Sequence, residues 1–129
     1  MPPSDELLAS FRHSLPPPDP AWPPEVRALV TYLHHHLFDP ALRAATARQA
    51  LGLRDHNVTS LFAACLGCGI RAYVNRRRVE AAQVLLRQTP AAVTEIALAV
   101  GYASLSTFHR VFRRETGLTP AAYSGGHCY

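Results

Sequence analysis

Two stretches of this chain carry the same pattern of apolar and glycine residues 50 positions apart. Leu61-Phe62, Gly67 and Tyr73 are matched by Val111-Phe112, Gly117 and Tyr123, and Ala47 is matched by Ala97 at the same offset. Gly52 is matched by Gly101, one residue short of it. A repeat of this kind restricts the fold to two copies of one helical unit. In each copy Gly52 or Gly101 supplies the backbone freedom that an inter-helix turn needs. Ala47 or Ala97 is the small residue where two helices cross closely.

From Pro24 onward the apolar spacing is helical throughout, and no convincing strand is found. Pro23 or Pro24 opens a helix near Glu25 that Asp39-Pro40 ends, with Val26, Leu29, Val30, Leu33 and Leu37 on its buried face. Further helices are expected over about 42–51, ended by Gly52, and 55–66, with Asp55 as N-cap and Gly67 as stop. A long helix over about 70–88 is stopped by Thr89-Pro90, and three more follow near 93–100, 104–115 and 120–123. Before all of these, LPPPDPAWPP (15–24) excludes helix and central strand and reads as a stiff, extended linker. Ser4 to His13 carries one apolar stripe of Leu7, Leu8 and Phe11, with Ser4 as N-cap and Arg12 and His13 at the negative end. A helix that short either docks on the domain or frays. The expected fold is all-α: about seven helices in two helix-turn-helix subdomains (25–69 and 90–124), a linker helix (70–89), a proline-rich arm with a possible short helix (1–24) and a tail (125–129).

Chemistry concentrates in the second unit. Leu105, Phe108 and Phe112 recur at i, i+3 and i+7, which buries one side of the 104–115 helix. Ser106, His109, Arg110 and Arg113 recur on the other side. A short helix, a tight turn and a helix with an exposed Arg, His and Ser face is the form of a helix-turn-helix DNA reader. Arg110 is the expected base reader, because guanidinium pairs bidentately with guanine O6 and N7. Ser106, Thr107 and His109 lie near the helix end that enters the groove, and Arg113 and Arg114 are expected phosphate clamps. The charge distribution agrees. All 13 basic residues are Arg and the net charge is +4. Residues 1–70 hold 5 Arg against 6 acids, whereas residues 71–129 hold 8 Arg against 3 acids, so a polyanion would be engaged mainly through the C-terminal part.

The runs RVEAAQVLL (78–86), TEIALAVGY (94–102) and STFHRVFRRETGLTP (106–120) resemble the DNA-binding domain of the AraC/XylS bacterial transcription regulators. The resemblance covers about residues 25–123 and is most specific in the last 50 residues. It implies seven helices and two recognition helices placed by one molecule in successive major grooves. It also implies double-stranded DNA as partner, no cofactor, and a monomer or weak dimer at the bacterial nucleoid; the alternative function is a protein-interaction module, with RNA polymerase or a partner regulator as its partner and weak DNA binding. Such regulators usually carry a separate effector or dimerisation domain; 129 residues leave no room for one, so the chain resembles the small stand-alone members or a cut-down form. Arg78 matches a family position that is usually structural.

The first unit departs from the family. Its recognition helix, DHNVTSLFAACL, offers His56, Asn57, Thr59 and Ser60 but no Arg or Lys, where the family has a basic residue at Ser60 and more around Ala63 and Ala64. Asn57 can pair with adenine and Thr59 or Ser60 can reach a phosphate. This unit is expected to bind weakly, read shape or serve protein contacts. Arg71, Arg76, Arg77, Arg78 and Arg87 ride on the linker helix over an apolar stripe of Val79, Ala82, Leu85 and Leu86. Tyr123 is followed by Ser124-Gly125, so a cation usual at the end of the family's last helix is missing.

Other chemistries have weaker support. His34, His35 and His36 point about 100° apart on a helix, so they cannot chelate one ion from a rigid helix. Cys65 and Cys68 with His127 and Cys128 make four zinc-type ligands, or a thiol switch, as an alternative. Against it, Cys65 falls on the expected buried face beside Leu61 and Phe62. No glycine-rich phosphate loop, carboxylate pair or nucleophile triad suggests an enzyme. No apolar run is long enough to span a bilayer, and MPPSDELLASF has no basic n-region of a signal peptide. With 3 Cys and no export signal, a reducing cytoplasm and free thiols are expected.

Overall fold

The structure is a computed structural model and describes residues 3–53 and 57–125. Among the described residues it holds eight helices and no strand: α1 (Ser4–Ser14), α2 (Pro24–His35), α3 (Ala44–Ala50), α4 (Asn57–Leu66), α5 (Ile70–Gln88), α6 (Val93–Ala99), α7 (Leu105–Thr116) and α8 (Pro120–Gly125). These are the seven expected helices and the arm helix. Asp55, the expected cap of α4, and His56 lie outside the described residues. Ser4 is the first helical residue of α1, and Pro3 stands at its cap position. Pro24, assigned to the arm from sequence, opens α2.

The end of α2 also differs. The helix closes at His35, with His36 N donating to Tyr32 O (3.0 Å), and a turn follows in which Asp39 N donates to His36 O (3.0 Å). The early stop sends Leu37 into the core and frees its carbonyl for a partner on α5.

Two apolar cores share α5. The first joins Val26, Leu29 and Leu33 of α2 to Ala47, Val58 and Phe62, and to Ile70 and Tyr73 at the start of α5. The second joins Val79, Ala82 and Leu85 farther along α5 to Ile96, Ala97, Phe108 and Phe112. The repeat reappears as paired geometry. Phe62 meets Tyr73 edge-on at 5.7 Å and 84°, and Phe112 meets Tyr123 at 5.7 Å and 76°. Gly67 and Gly117 end α4 and α7 at φ 81° and 80°, a left-handed conformation that glycine adopts without penalty.

Two expected core residues are outside. Leu105 is 40% exposed, and Val111, at 2%, completes the underside of α7 with Phe108 and Phe112. At 100° per residue, Leu105 sits about 60° from Phe108 on the side away from Val111. It therefore occupies the edge of the apolar arc, in the opening turn. Leu61 is likewise 40% exposed, while Val58 and Phe62 face inward.

The cores are joined by a buried cation. Arg78 is 5% exposed. Its Nε donates to Leu37 O and its Nη2 to Asp39 O, both at 2.8 Å, and its Cζ lies 5.2 Å from the centre of the Tyr102 ring. Tyr102 Oη donates to the Asn75 side-chain oxygen at 2.8 Å. Burial holds the Arg78 pKa below the usual guanidinium value and pushes the Tyr102 phenol up to about 12. Gly101 permits this approach: a Cβ there would stand 2.9 Å from Arg78 Cζ, and the backbone has φ +109°.

The arm docks. Leu8 is buried in the second core, and Phe11 packs against both cores, 6.3 Å from Phe38. Arg12 Nη1 donates to His35 O (2.9 Å). The proline-rich segment is anchored as well. Leu15 and Trp22 pack on the first core, Trp22 N donates to Asp19 O (3.0 Å), and Arg27 Nε donates to Trp22 O (3.0 Å).

Two predictions follow from these contacts. Gly101→Ala meets both the backbone penalty and the Arg78 guanidinium, whereas Gly117→Ala meets only the former, with no atom near its new Cβ. Gly117→Ala is expected to lose about 1–2 kcal/mol and Gly101→Ala about 1–3 kcal/mol more in denaturant titrations; equal losses would rule out the steric account. The second concerns His34, which hydrogen-bonds Tyr73 Oη and stacks on that ring. Burial, then the Arg77 guanidinium, lowers its pKa below 6.5. Above pH 6.5 the imidazole is neutral in both states and its full contribution is present. As pH falls through 6.5 the unfolded chain takes the proton first, so stability declines. Melting temperatures between pH 7.5 and 5.5 should fall less in His34→Gln than in the parent; an unchanged fall would refute the assignment.

Candidate nucleic-acid interface

α7 is built to present one face. Ser104 caps it, its hydroxyl accepting from Thr107 N (3.3 Å), and Gly117 closes it. Phe108, Val111 and Phe112 anchor its underside. On the outer side Ser106, His109, Arg110, Arg113 and Arg114 are exposed and Thr107 is half-buried. The side chains of Arg110, Arg113 and Arg114 make no hydrogen bond or ion pair among the described residues. Three unpaired guanidinium groups on one rigid helix can form bidentate contacts with an external anion or base edge at little ordering cost.

α4 is the neutral counterpart. Counting 50 residues back, Ser60, Ala63 and Ala64 stand where α7 has Arg110, Arg113 and Arg114. Asn57, Ser60, Leu61 and Ala64 are exposed and Thr59 is half-buried. Its outer surface therefore offers two or three short polar groups and apolar carbon, with no charge.

The arginines of α5 divide by role. Arg78 is the buried tie described above. Arg77 Nη1 donates to Glu80 Oε1 (3.0 Å), and Arg87 Nη1 donates to Tyr123 Oη (2.6 Å). Arg71 and Arg76 are exposed. Arg71 borders a cleft of about 550 Å³ that opens beside Thr107 and Arg110, between the start of α3, the α5 flank and the α6–α7 turn. Arg43 borders the same cleft. Nothing in its own sequence neighbourhood marks Arg43; only folding brings it near α7.

Cys65 and Cys68 are free, half-buried thiols packed against the first core. Among the described residues no three His, Cys, Asp or Glu side chains gather as a metal site, and His127 and Cys128 lie outside those residues.

A family model described as a helix-turn-helix domain matches residues 41–125. The chain is 31% identical over 101 residues to an uncharacterized HTH-type transcriptional regulator of Staphylococcus aureus, covering 78% of this chain and 13% of that protein. The chain thus spans a small fraction of that relative's length. It is 31% identical over 98 residues to the regulatory protein SoxS of Salmonella typhimurium, covering 76% of this chain and 91% of SoxS. Its fold is similar to the DNA-binding domain of the global transcriptional factor AdpA, solved in complex with a target DNA, with a TM-score of 0.73 and 24% identity over 80% of this chain and 92% of that one.

The contrast between tied and untied arginines is measurable. Arg78→Gln strands the buried carbonyl of Leu37 and the partly buried one of Asp39, and should lower unfolding free energy by about 2–4 kcal/mol. Arg113→Gln and Arg114→Gln should each stay within about 0.5 kcal/mol of the parent. Thermal denaturation of the three variants decides it, and a large loss at Arg113 or Arg114 would give those side chains a structural role instead.

Proposed function

The chain belongs to the AraC/XylS family of helix-turn-helix transcription regulators, and from that membership we propose that it is a sequence-specific DNA-binding regulator whose affinity resides mainly in α7. The observation that carries this reading is the arginine comb of Arg110, Arg113 and Arg114, whose side chains are unpaired among the described residues, above the buried Phe108, Val111 and Phe112. Arg110 reads guanine through two hydrogen bonds, while Ser106, Thr107 and His109 contact the groove from the N-terminal end of the helix. Arg113 and Arg114 neutralise phosphates. The likeness to SoxS, a regulatory protein, and to the DNA-bound AdpA domain supports this use of the fold.

α4 reads a second, weaker half-site. Asn57 pairs with adenine, and Thr59 and Ser60 reach backbone oxygens, with His56 beside them in the chain. With no cation on that helix, the counterion-release contribution falls almost wholly to the second unit. One copy carries both units, so a monomer on one face of the duplex suffices, and the site of action is the nucleoid.

Selection of bound duplexes from a random pool tests the reading. It should return one strongly specified half-site containing guanine, flanked one helical turn away by a weakly specified one. Arg110→Ala should lose about 1–3 kcal/mol on the selected site and relax preference at one base pair. Parental selectivity surviving that change would overturn the role given to α7.

A further inference from the structure

The cleft beside α7 has an electrostatic character that the recognition helices do not explain. Its wall includes Arg43, Arg71, Arg78 and Arg110, with Ser104 and Thr107 at the helix mouth, and among the described residues no carboxylate-bearing residue lines it. The nearest acid in sequence, Asp39, turns its carboxylate to Ala41 N (2.9 Å), gives Arg78 a hydrogen bond only through its backbone carbonyl, and offsets part of the Arg78 charge electrostatically. Arg43 spends Nη1 on the carbonyls of Pro40 and Leu42, at 3.0 Å each, which fixes the guanidinium at the rim and leaves its other nitrogens uncommitted among the described residues. Arg71 and Arg110 are exposed, with no hydrogen bond or ion pair among those residues. Arg43 also acts on Arg78 as a like charge, adding to the effect of burial in lowering its pKa. Cations from three separate segments converge on one concavity with their mutual repulsion only partly offset. An anion entering it would relieve that repulsion.

We propose that this cleft is a phosphate-binding site that lies between the two helix-turn-helix units, with Arg43 and Arg71 as its ligands and Arg78 as the charged floor. The proposal rests on the DNA-binding reading for its first source of phosphate, a duplex phosphodiester. Arg110 and Thr107 belong both to the α7 interface and to the cleft wall, so a duplex seated on α7 brings its backbone to the opening. The second source of the same chemistry is a free phosphate-bearing small molecule. Arg43 and Arg71 are positioning cations for either and contact no base, so they add affinity without sequence preference.

Two measurements on Arg71→Gln, Arg43→Gln and the double variant separate the sources, with Arg76→Gln, exposed outside the cleft, as control. The first is the dependence of duplex affinity on salt, using the selected site. Loss of each phosphate contact lowers the slope of log K against log salt by about one. The expected result is a slope lower by about one in each single variant and about two in the double variant, with base preference unchanged and Arg76→Gln at the parental slope. The second is the melting temperature without DNA, as inorganic phosphate replaces chloride at constant ionic strength. A phosphate-dependent rise that vanishes in the double variant, with duplex slopes unchanged, assigns the site to a free phosphate ligand. Unchanged slopes together with an unchanged phosphate response overturn the proposal. If the parent binds no duplex at all, the DNA-binding reading fails, and the phosphate titration still decides the cleft. Arg71→Gln removes no intramolecular bond among the described residues, so that variant keeps both measurements interpretable if Arg43→Gln disturbs the loop before α3.

Discussion

One buried guanidinium holds the two halves of this fold in register. Arg78 leaves the middle of α5, bonds two carbonyls of the loop after α2, and lies over the Tyr102 ring at the turn before α7. A cation in such a place is costly unless its donors are satisfied. Here they are satisfied by backbone rather than by a carboxylate, so their geometry is tied to where the chain runs. A shift of either helical unit along α5 would strand a charge, which gives the arrangement a discrete optimum. Apolar packing alone would be more forgiving, since the two cores contact different stretches of the same helix and share the partly buried Phe11 and Phe38, whose contacts have no fixed direction. The hydrogen bond from Tyr102 to Asn75 and the space left by Gly101 serve this same junction.

Around that junction the two units kept their backbone and diverged at the surface. The Phe–Tyr pairs and the left-handed glycines are nearly superposable in distance and angle. The outer faces are not, because three arginines of α7 correspond to serine and alanine on α4. Folding depends on the shared set, and on the proposed reading affinity depends on the divergent set, so one unit can lose charge without losing shape.

Much of this could be read from the chain. Glycine and proline punctuation placed seven helices within a few residues, and the fifty-residue echo disclosed the duplication before any contact was known. The outward face of α7 was legible because arginine and aromatic positions separate cleanly on a helical wheel. Leu105 and Leu61 were misplaced because hydrophobicity marks a position as suited to the interior without saying whether a neighbour covers it. The docking of α1 was equally open, since eleven residues with one stripe bury themselves only if a receptive surface exists. Least accessible was the cleft. Arg43, Arg71 and Arg110 are far apart in sequence, and only the folded chain makes them neighbours.

The uneven charge also sets an order of events in time. Toward a polyanion the carboxyl-terminal half exerts attraction over a Debye length of about 10 Å, while the amino-terminal half is close to neutral. On the proposed DNA-binding reading, association starts at α7, and α4 makes its search only after being tethered, as an intramolecular step at high local concentration. On the same reading departure runs the other way: the uncharged helix lets go first and often, leaving the molecule hinged on its charged end and free to sample adjacent sequence before it is lost.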